Sequence, residues 1–127
     1  MIAWLSAEFV AVMHDELIAE HGGPSGIRDA GLLASAVARP RNPRAYEKAG
    51  LYRMAAAYGF GIAINHPFVD GNKRTALMAM YVFLRLNGLT LTAPGEETVH
   101  TMLRLADGDL TVDQLAAWLR ENVSEAP

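Results

Sequence analysis

His66-Pro67-Phe68-Val69-Asp70-Gly71-Asn72-Lys73-Arg74 runs without a break into Thr75-Ala76-Leu77-Met78-Ala79-Met80-Tyr81-Val82-Phe83-Leu84. The first half gathers an imidazole, a carboxylate, a glycine turn, an amide and two cations, whereas the second is almost purely apolar. Asn65 and His66 end a preceding helix, because the residue before a proline is sterically pushed out of the αR region. Gly71 or Asn72 then opens a new helix that extends to about Asn87, with Gly88 as its stop. Apart from Arg85 and the end residues, Ala76 to Leu86 is apolar on every side. A helix of that kind is buried, so this one is expected to run through the middle of a bundle. The polar stretch then stands at the mouth of a rigid core.

On the N-terminal side, Ser6 suits a helix cap and Glu8 suits the first turn. Phe9, Met13 and Leu17 recur every four residues, with Val10 and Ile18 beside them, which predicts an amphipathic helix ending at Gly22-Gly23. His14 and His21 fall on it as surface or cap residues, and no metal-binding spacing includes them. Residues 22–28 read as a glycine-rich loop. Asp29 caps a second helix carrying Leu32, Leu33, Ala36 and Val37, which stops at Pro40. The segment Arg39-Pro40-Arg41-Asn42-Pro43-Arg44 is either a solvated connector or a flap that meets an anionic or macromolecular ligand. A third helix starts at Tyr46, with Leu51, Met54, Ala55, Tyr58 and Ile62 as its apolar stripe. Ala55, Ala56, Ala57, Gly59 and Gly61 leave room for a neighbour to approach closely.

On the C-terminal side, Leu89-Thr90-Leu91-Thr92 alternates like a strand, but a single run cannot make a sheet. Pro94, Glu96 and Glu97 fit the first turn of a fifth helix bearing Val99, Met102 and Leu103. After the turn at Asp107-Gly108-Asp109, Thr111 and Gln114 form a capping box for a last helix with Leu115, Trp118 and Leu119. The tail from Ser124 is expected to fray. The fold expected is all-α: one compact domain over residues 1–127, built of five to six helices around a buried central one.

Composition narrows the function. The 127 residues are 51% hydrophobic and 20% charged, enough for a real core without staples. A formal charge of −3 argues against nucleic acid as the main partner. With no cysteine, thiolate nucleophiles, disulfides and cysteine-held metals are excluded. The start of the chain lacks signal-peptide character, and the longest apolar run, Ala76 to Leu84, falls short of the roughly 20 residues of a membrane span. A cytoplasmic, soluble protein is expected.

The chemistry follows from the opening stretch. Backbone N–H groups at the helix start, around Gly71 and Asn72, make an anion site to which Lys73 and Arg74 add positive charge. Two cations beside a helix N-terminus oppose its dipole unless an anion lies between them, so the violation itself points to a phosphate. Asp70 is placed to hold Mg2+, which takes one or two carboxylates plus phosphate oxygens. His66, on the loop just ahead, suits a general base at neutral pH, and Phe68 would anchor the loop to the core. Positioning, charge neutralisation and a base are what phosphoryl-type transfer needs.

At these residues the chain resembles the Fic/Doc family, and within it the Doc (death-on-curing) branch. The Fic motif is H-x-F-x-[DE]-G-N-G-R-x-x-R; His66, Phe68, Asp70, Gly71, Asn72 and Arg74 match it. Lys73 stands in place of a glycine and Leu77 in place of the second arginine, and a lysine there is what Doc proteins look like. Gly31-Leu32-Leu33 with Ala38-Arg39-Pro40-Arg41, and Phe83-Leu84-Arg85-Leu86-Asn87-Gly88, resemble the family's second helix and helix end.

The resemblance implies ATP and Mg2+ as cofactors. Fic enzymes move AMP onto a protein hydroxyl, whereas Doc toxins place ATP in reverse and move its γ-phosphate onto a threonine of elongation factor Tu, which halts translation. It further implies a partner antitoxin whose C-terminal segment folds into a groove on the toxin. His66 becomes the base and Asp70 the Mg2+ ligand. Gly71, Asn72, Lys73 and Arg74 bind phosphates, and Phe68 is the anchor. Arg39, Arg41, Arg44 and Tyr46 are candidates for docking the target. A lysine in place of glycine fills the space where a phosphate tail would approach the backbone, and losing the second arginine removes a bidentate clamp; both disfavour AMP transfer. The family's inhibitory [ST]-x-x-x-E-[GN] helix is missing, since Thr92 and Glu96 are followed by Glu97. The alternatives are an AMP transferase and a catalytically inactive module that only binds a partner.

Overall fold

The computed structural model describes residues 1–41 and 50–125. In chain order the elements are α1 (Ala7–His21), α2 (Ala30–Ala38), a 3-10 turn (Arg39–Arg41), α3 (Gly50–Asn65), α4 (Asn72–Leu86), β1 (Leu89–Leu91), α5 (Gly95–Ala106), α6 (Val112–Glu121) and β2 (Val123–Glu125). The expected all-α bundle is the architecture found. Arg44, Tyr46 and the expected helix start at Tyr46 lie outside the described residues.

The caps explain the boundaries. Ser6 accepts from the Phe9 N–H, and Asp29 accepts from the Leu32 N–H. Thr111 and Gln114 close a reciprocal capping box at 3.1 and 2.9 Å. Gly71 at φ 77° precedes α4, and Gly88 at φ 91° follows it.

The central helix is α3, not α4. Nine of its residues are buried, from Met54 to Ala63, and α2, α4, α5 and α6 all pack on it. Its small residues permit this. A Cβ on Gly61 would lie 3.1 Å from the Ala36 backbone, and one on Gly59 would run into the Met80 side chain. On α4 only one face, from Asn72 through Ala76, Ala79, Met80 and Phe83 to Leu84, is buried. Leu77, Met78 and Tyr81 on its other side line an open cleft with Leu17 of α1 and Leu91 of β1. The all-round apolar pattern of α4 therefore combines a core face with a groove face.

Three further expectations change. The buried stripe of α1 is Val10, Met13 and His14, with Phe9 43% exposed. On α5, Thr101, Met102 and Leu105 are buried, while Val99 and Leu103 face outward and line a second cleft with Lys73, Arg74 and Leu77. The tail does not simply fray: Val123, Ser124 and Glu125 pair antiparallel with Leu91, Thr90 and Leu89, which supplies the partner strand that the alternating run lacked. None of the helices is long and apolar enough to cross a membrane, among the described residues.

Candidate active site

The loop from His66 to Gly71 is held from three directions. Along one side runs the segment 26–29: the Arg28 and Asp29 N–H groups donate to the Pro67 carbonyl at 2.7 and 3.0 Å. The Val69 N–H donates to the Gly26 carbonyl at 3.1 Å, so Ile27 and Phe68 form an isolated antiparallel bridge. The Arg28 side chain adds two bonds, from Nε to the His66 carbonyl at 2.7 Å and from Nη2 to the Asn65 carbonyl at 2.8 Å. Those carbonyls end α3, where a cation is favourable to the helix dipole.

From below, Phe68 is 1% exposed and lies flat under His14, with ring centroids 3.9 Å apart and planes 5° apart. Its ring is packed into the core beneath the loop. From the α4 side, Asn72 clamps the same residue: its Oδ1 accepts from the Phe68 N–H and its Nδ2 donates to the Phe68 carbonyl, both at 3.0 Å. Asn72 is itself buried, so its amide serves the loop and does not face solvent.

The polar side chains of this stretch that do face solvent are His66, Asp70, Lys73 and Arg74. Together with Val69, Gly71, Asn72 and Ala106 they line a cleft of about 510 Å³ at the N-terminus of α4. Among the described residues Lys73 and Arg74 make no ion pair with a carboxylate, leaving their charge for an incoming anion. Gly23, at φ 110°, makes room for the acid: a Cβ there would come 2.5 Å from Asp70 Oδ2. Among the described residues there is no group of three or more His, Cys, Asp or Glu that could hold a metal. A single exposed carboxylate beside two cations fits Mg2+ only where phosphate oxygens and water supply the other ligands, which is how that ion usually binds with nucleotides.

Of the candidate docking residues, Arg39 stacks over Phe60 at 5.5 Å and Arg41 over Trp4 at 5.1 Å; neither lines this cleft. Two residues outside the motif also hold the loop. His14 is 1% exposed rather than a surface residue, and its Nε2 lies 2.7 Å from the Asp70 carbonyl. The spacing Val10, His14, Ile18 along one face of α1 carried that signal. Arg28 left none, since it sits in a loop whose partner is 38 residues away.

Residues 4–84 match the family described as Fic/DOC. Over 117 residues, 91% of this chain and 92% of its relative, the sequence is 33% identical to "Protein kinase doc" of Escherichia phage P1. The chain belongs to the Fic/Doc family. A second Doc relative, "Toxin Doc" of Mycolicibacterium smegmatis (strain ATCC 700084 / mc(2)155), is 41% identical over 104 residues, which is 77% of this chain and 78% of that one. This Fic/Doc chain is thus Doc-like over most of its length, and the family match spans α1 to α4, the elements that build the loop and its supports.

Proposed function

We propose that this chain is a Doc-type toxin, a cytoplasmic protein kinase that moves the γ-phosphate of ATP onto a threonine hydroxyl of elongation factor Tu and is neutralised by a partner antitoxin. The observation that carries the reading is the cleft itself: His66, Asp70, Gly71, Lys73 and Arg74 converge at one helix N-terminus, in a chain aligned almost end to end with a protein kinase Doc.

In this reading the first-turn N–H groups of α4, with Lys73 and Arg74, bind the phosphates and neutralise charge that builds on them. Asp70 would hold Mg2+, which when bound would further neutralise the phosphate oxygens. His66 takes the proton of the threonine hydroxyl as its oxygen forms the new bond to phosphorus and the bond to the ADP oxygen breaks. Asn72 contributes by holding Phe68 and offers its backbone N–H, rather than its amide, to the anion.

ATP labelled on the γ- or the α-phosphate tests this against purified elongation factor Tu. Label from the γ position supports the kinase, and label from the α position would establish AMP transfer instead. Expression should arrest growth, and His66→Ala or Asp70→Ala should relieve the arrest with the protein still folded. Mutants that remain toxic would remove catalysis at this cleft as the mechanism.

A further inference from the structure

A buried imidazole has to be accounted for. His14 sits in the apolar face of α1, 1% exposed, with Nε2 2.7 Å from the Asp70 carbonyl oxygen. A carbonyl can only accept, so Nε2 carries the proton and donates. The same ring lies flat on Phe68. One side chain therefore holds the loop at its anchor and again two residues further on.

The second contact falls on the peptide unit that most needs it. The Asp70 carbonyl and the Gly71 N–H belong to one planar trans peptide and point in opposite directions. With the carbonyl directed at His14, the Gly71 N–H is turned away from the core. Gly71 is at φ 77°, and glycine visits either sign of φ with little penalty, so a flip of this peptide is the loop's cheapest rearrangement. A flip would turn the Gly71 N–H inward and the Asp70 carbonyl oxygen outward, setting the negative end of the peptide dipole against an incoming anion. The ring stands close to the turn: a Cβ on Gly71 would lie 3.6 Å from His14 Nε2.

We infer that His14 is a positioning residue of the transfer site: its Nε2–H fixes the Asp70–Gly71 peptide and so keeps the Gly71 N–H, rather than the Asp70 carbonyl oxygen, directed into the cleft. The inference rests on the proposed phosphoryl transfer for its kinetic consequence, though not for its geometry.

Two variants separate the donor from the ring. His14→Phe keeps a flat ring on Phe68 and removes the donor; His14→Gln gives up the stacking and keeps an N–H at similar reach. In His14→Phe, kcat should fall at least about tenfold with the KM for ATP changed less than about threefold, and His14→Gln should recover to within about threefold of wild type. Amide exchange at Gly71, followed by NMR without nucleotide, should quicken at least about tenfold in His14→Phe and recover in His14→Gln. Equal impairment of both variants would overturn the role by assigning it to ring packing, as would an unchanged His14→Phe. Long-range nitrogen–proton correlations of the wild-type ring should show the proton on Nε2; a proton on Nδ1 alone overturns the inference even if His14→Phe fails to fold. Should the wild type transfer no phosphate at all, the proposed reaction fails, while the ring tautomer and Gly71 exchange still decide the part played by His14.

Discussion

Asn72→Ala separates two roles that one residue could hold, phosphate ligand or loop clamp. In the bridge between Ile27 and Phe68 the hydrogen bonds are made by Arg28, Pro67, Val69 and Gly26, not by Phe68 itself. The N–H and carbonyl of Phe68 depend instead on the Asn72 side chain, at 3.0 Å each, at a residue only 1% exposed. Alanine leaves both unpaired where water does not reach. A buried unpaired backbone group costs about 1–3 kcal/mol, so two of them, after some relaxation of the loop, amount to about 2–4 kcal/mol. For a domain of this size that is a fall in Tm of roughly 6–16 °C.

Urea unfolding of wild type and variant measures the difference directly. Asn72→Asp supplies the control for chemistry rather than volume: it still accepts from the Phe68 N–H but sets a carboxylate oxygen against the Phe68 carbonyl. It should be at least as unstable as Asn72→Ala at neutral pH. The deficit should shrink as pH falls, because the protonated carboxyl can donate to that carbonyl and its folded-state pKa is thereby raised. A loss below about 1 kcal/mol in Asn72→Ala, together with a raised KM for ATP, would refute the clamp and return the side chain to the phosphates.

Gly23→Ala puts a Cβ 2.5 Å from Asp70 Oδ2 and should displace that carboxylate; the Mg2+ concentration giving half-maximal transfer should rise about tenfold, as read from metal titrations of the kinase assay. Tyr58→Phe removes the hydroxyl that bonds the Leu5 N–H at 2.9 Å and should cost about 1–3 kcal/mol by denaturant unfolding. Burial raises the Tyr58 pKa above its ordinary value of 10.0, more than its Leu5 hydrogen bond and Arg41 lower it. The unfolded state therefore loses its proton first, so this contribution to stability is whole below pH 10.0 and declines as pH rises toward the folded value, a slope absent from Tyr58→Phe. Thr75 Oγ1 on α4 is buried with no hydrogen-bond partner among the described residues, so Thr75→Val, nearly isosteric, should raise stability by about 1 kcal/mol and leave transfer unchanged.

What was legible in the chain was its local chemistry. Ser6, Asp29 and Thr111 act as caps because capping depends on neighbours three residues away. Gly71 and Gly88 bound α4 for similarly local reasons. Tertiary roles were less accessible. α4 looked central because its groove-lining residues Leu77, Met78 and Tyr81 are as apolar as a core, and sequence does not distinguish the two. α3 took the centre through its alanines and glycines, whose value lies in what they let approach. The strand Leu89–Leu91 found its partner in a tail more than thirty residues on, in a register no local pattern encodes. At the site, His66, Asp70, Lys73 and Arg74 are near neighbours in the chain and line one cleft, while the Asn72 side chain turns inward and the contacts of His14 and Arg28 emerge only with the fold.

The division of the motif into inward and outward residues has a backbone cause. Were residues 66–70 a plain extended segment, His66, Phe68 and Asp70 would share one face, and a core anchor cannot use the same side as a solvent-facing imidazole and carboxylate. The structure buries Phe68 and exposes His66 and Asp70. The alternation is broken at His66, a non-glycine residue at φ 50°, and again at the bend over Val69 and Asp70, both exposed, that leads into Gly71. A left-handed conformation costs an ordinary residue about 1–2 kcal/mol and persists only when its surroundings over-determine it. Arg28 does so here, its guanidinium bonded to the carbonyls of Asn65 and His66 on either side of the bend. Those charge-assisted bonds offset the strain and turn the imidazole outward, while Phe68 enters the core beneath it. The cleft therefore depends on Arg28 at His66 as much as on His14 at Asp70: each holds a backbone carbonyl, and neither side chain lines the cleft.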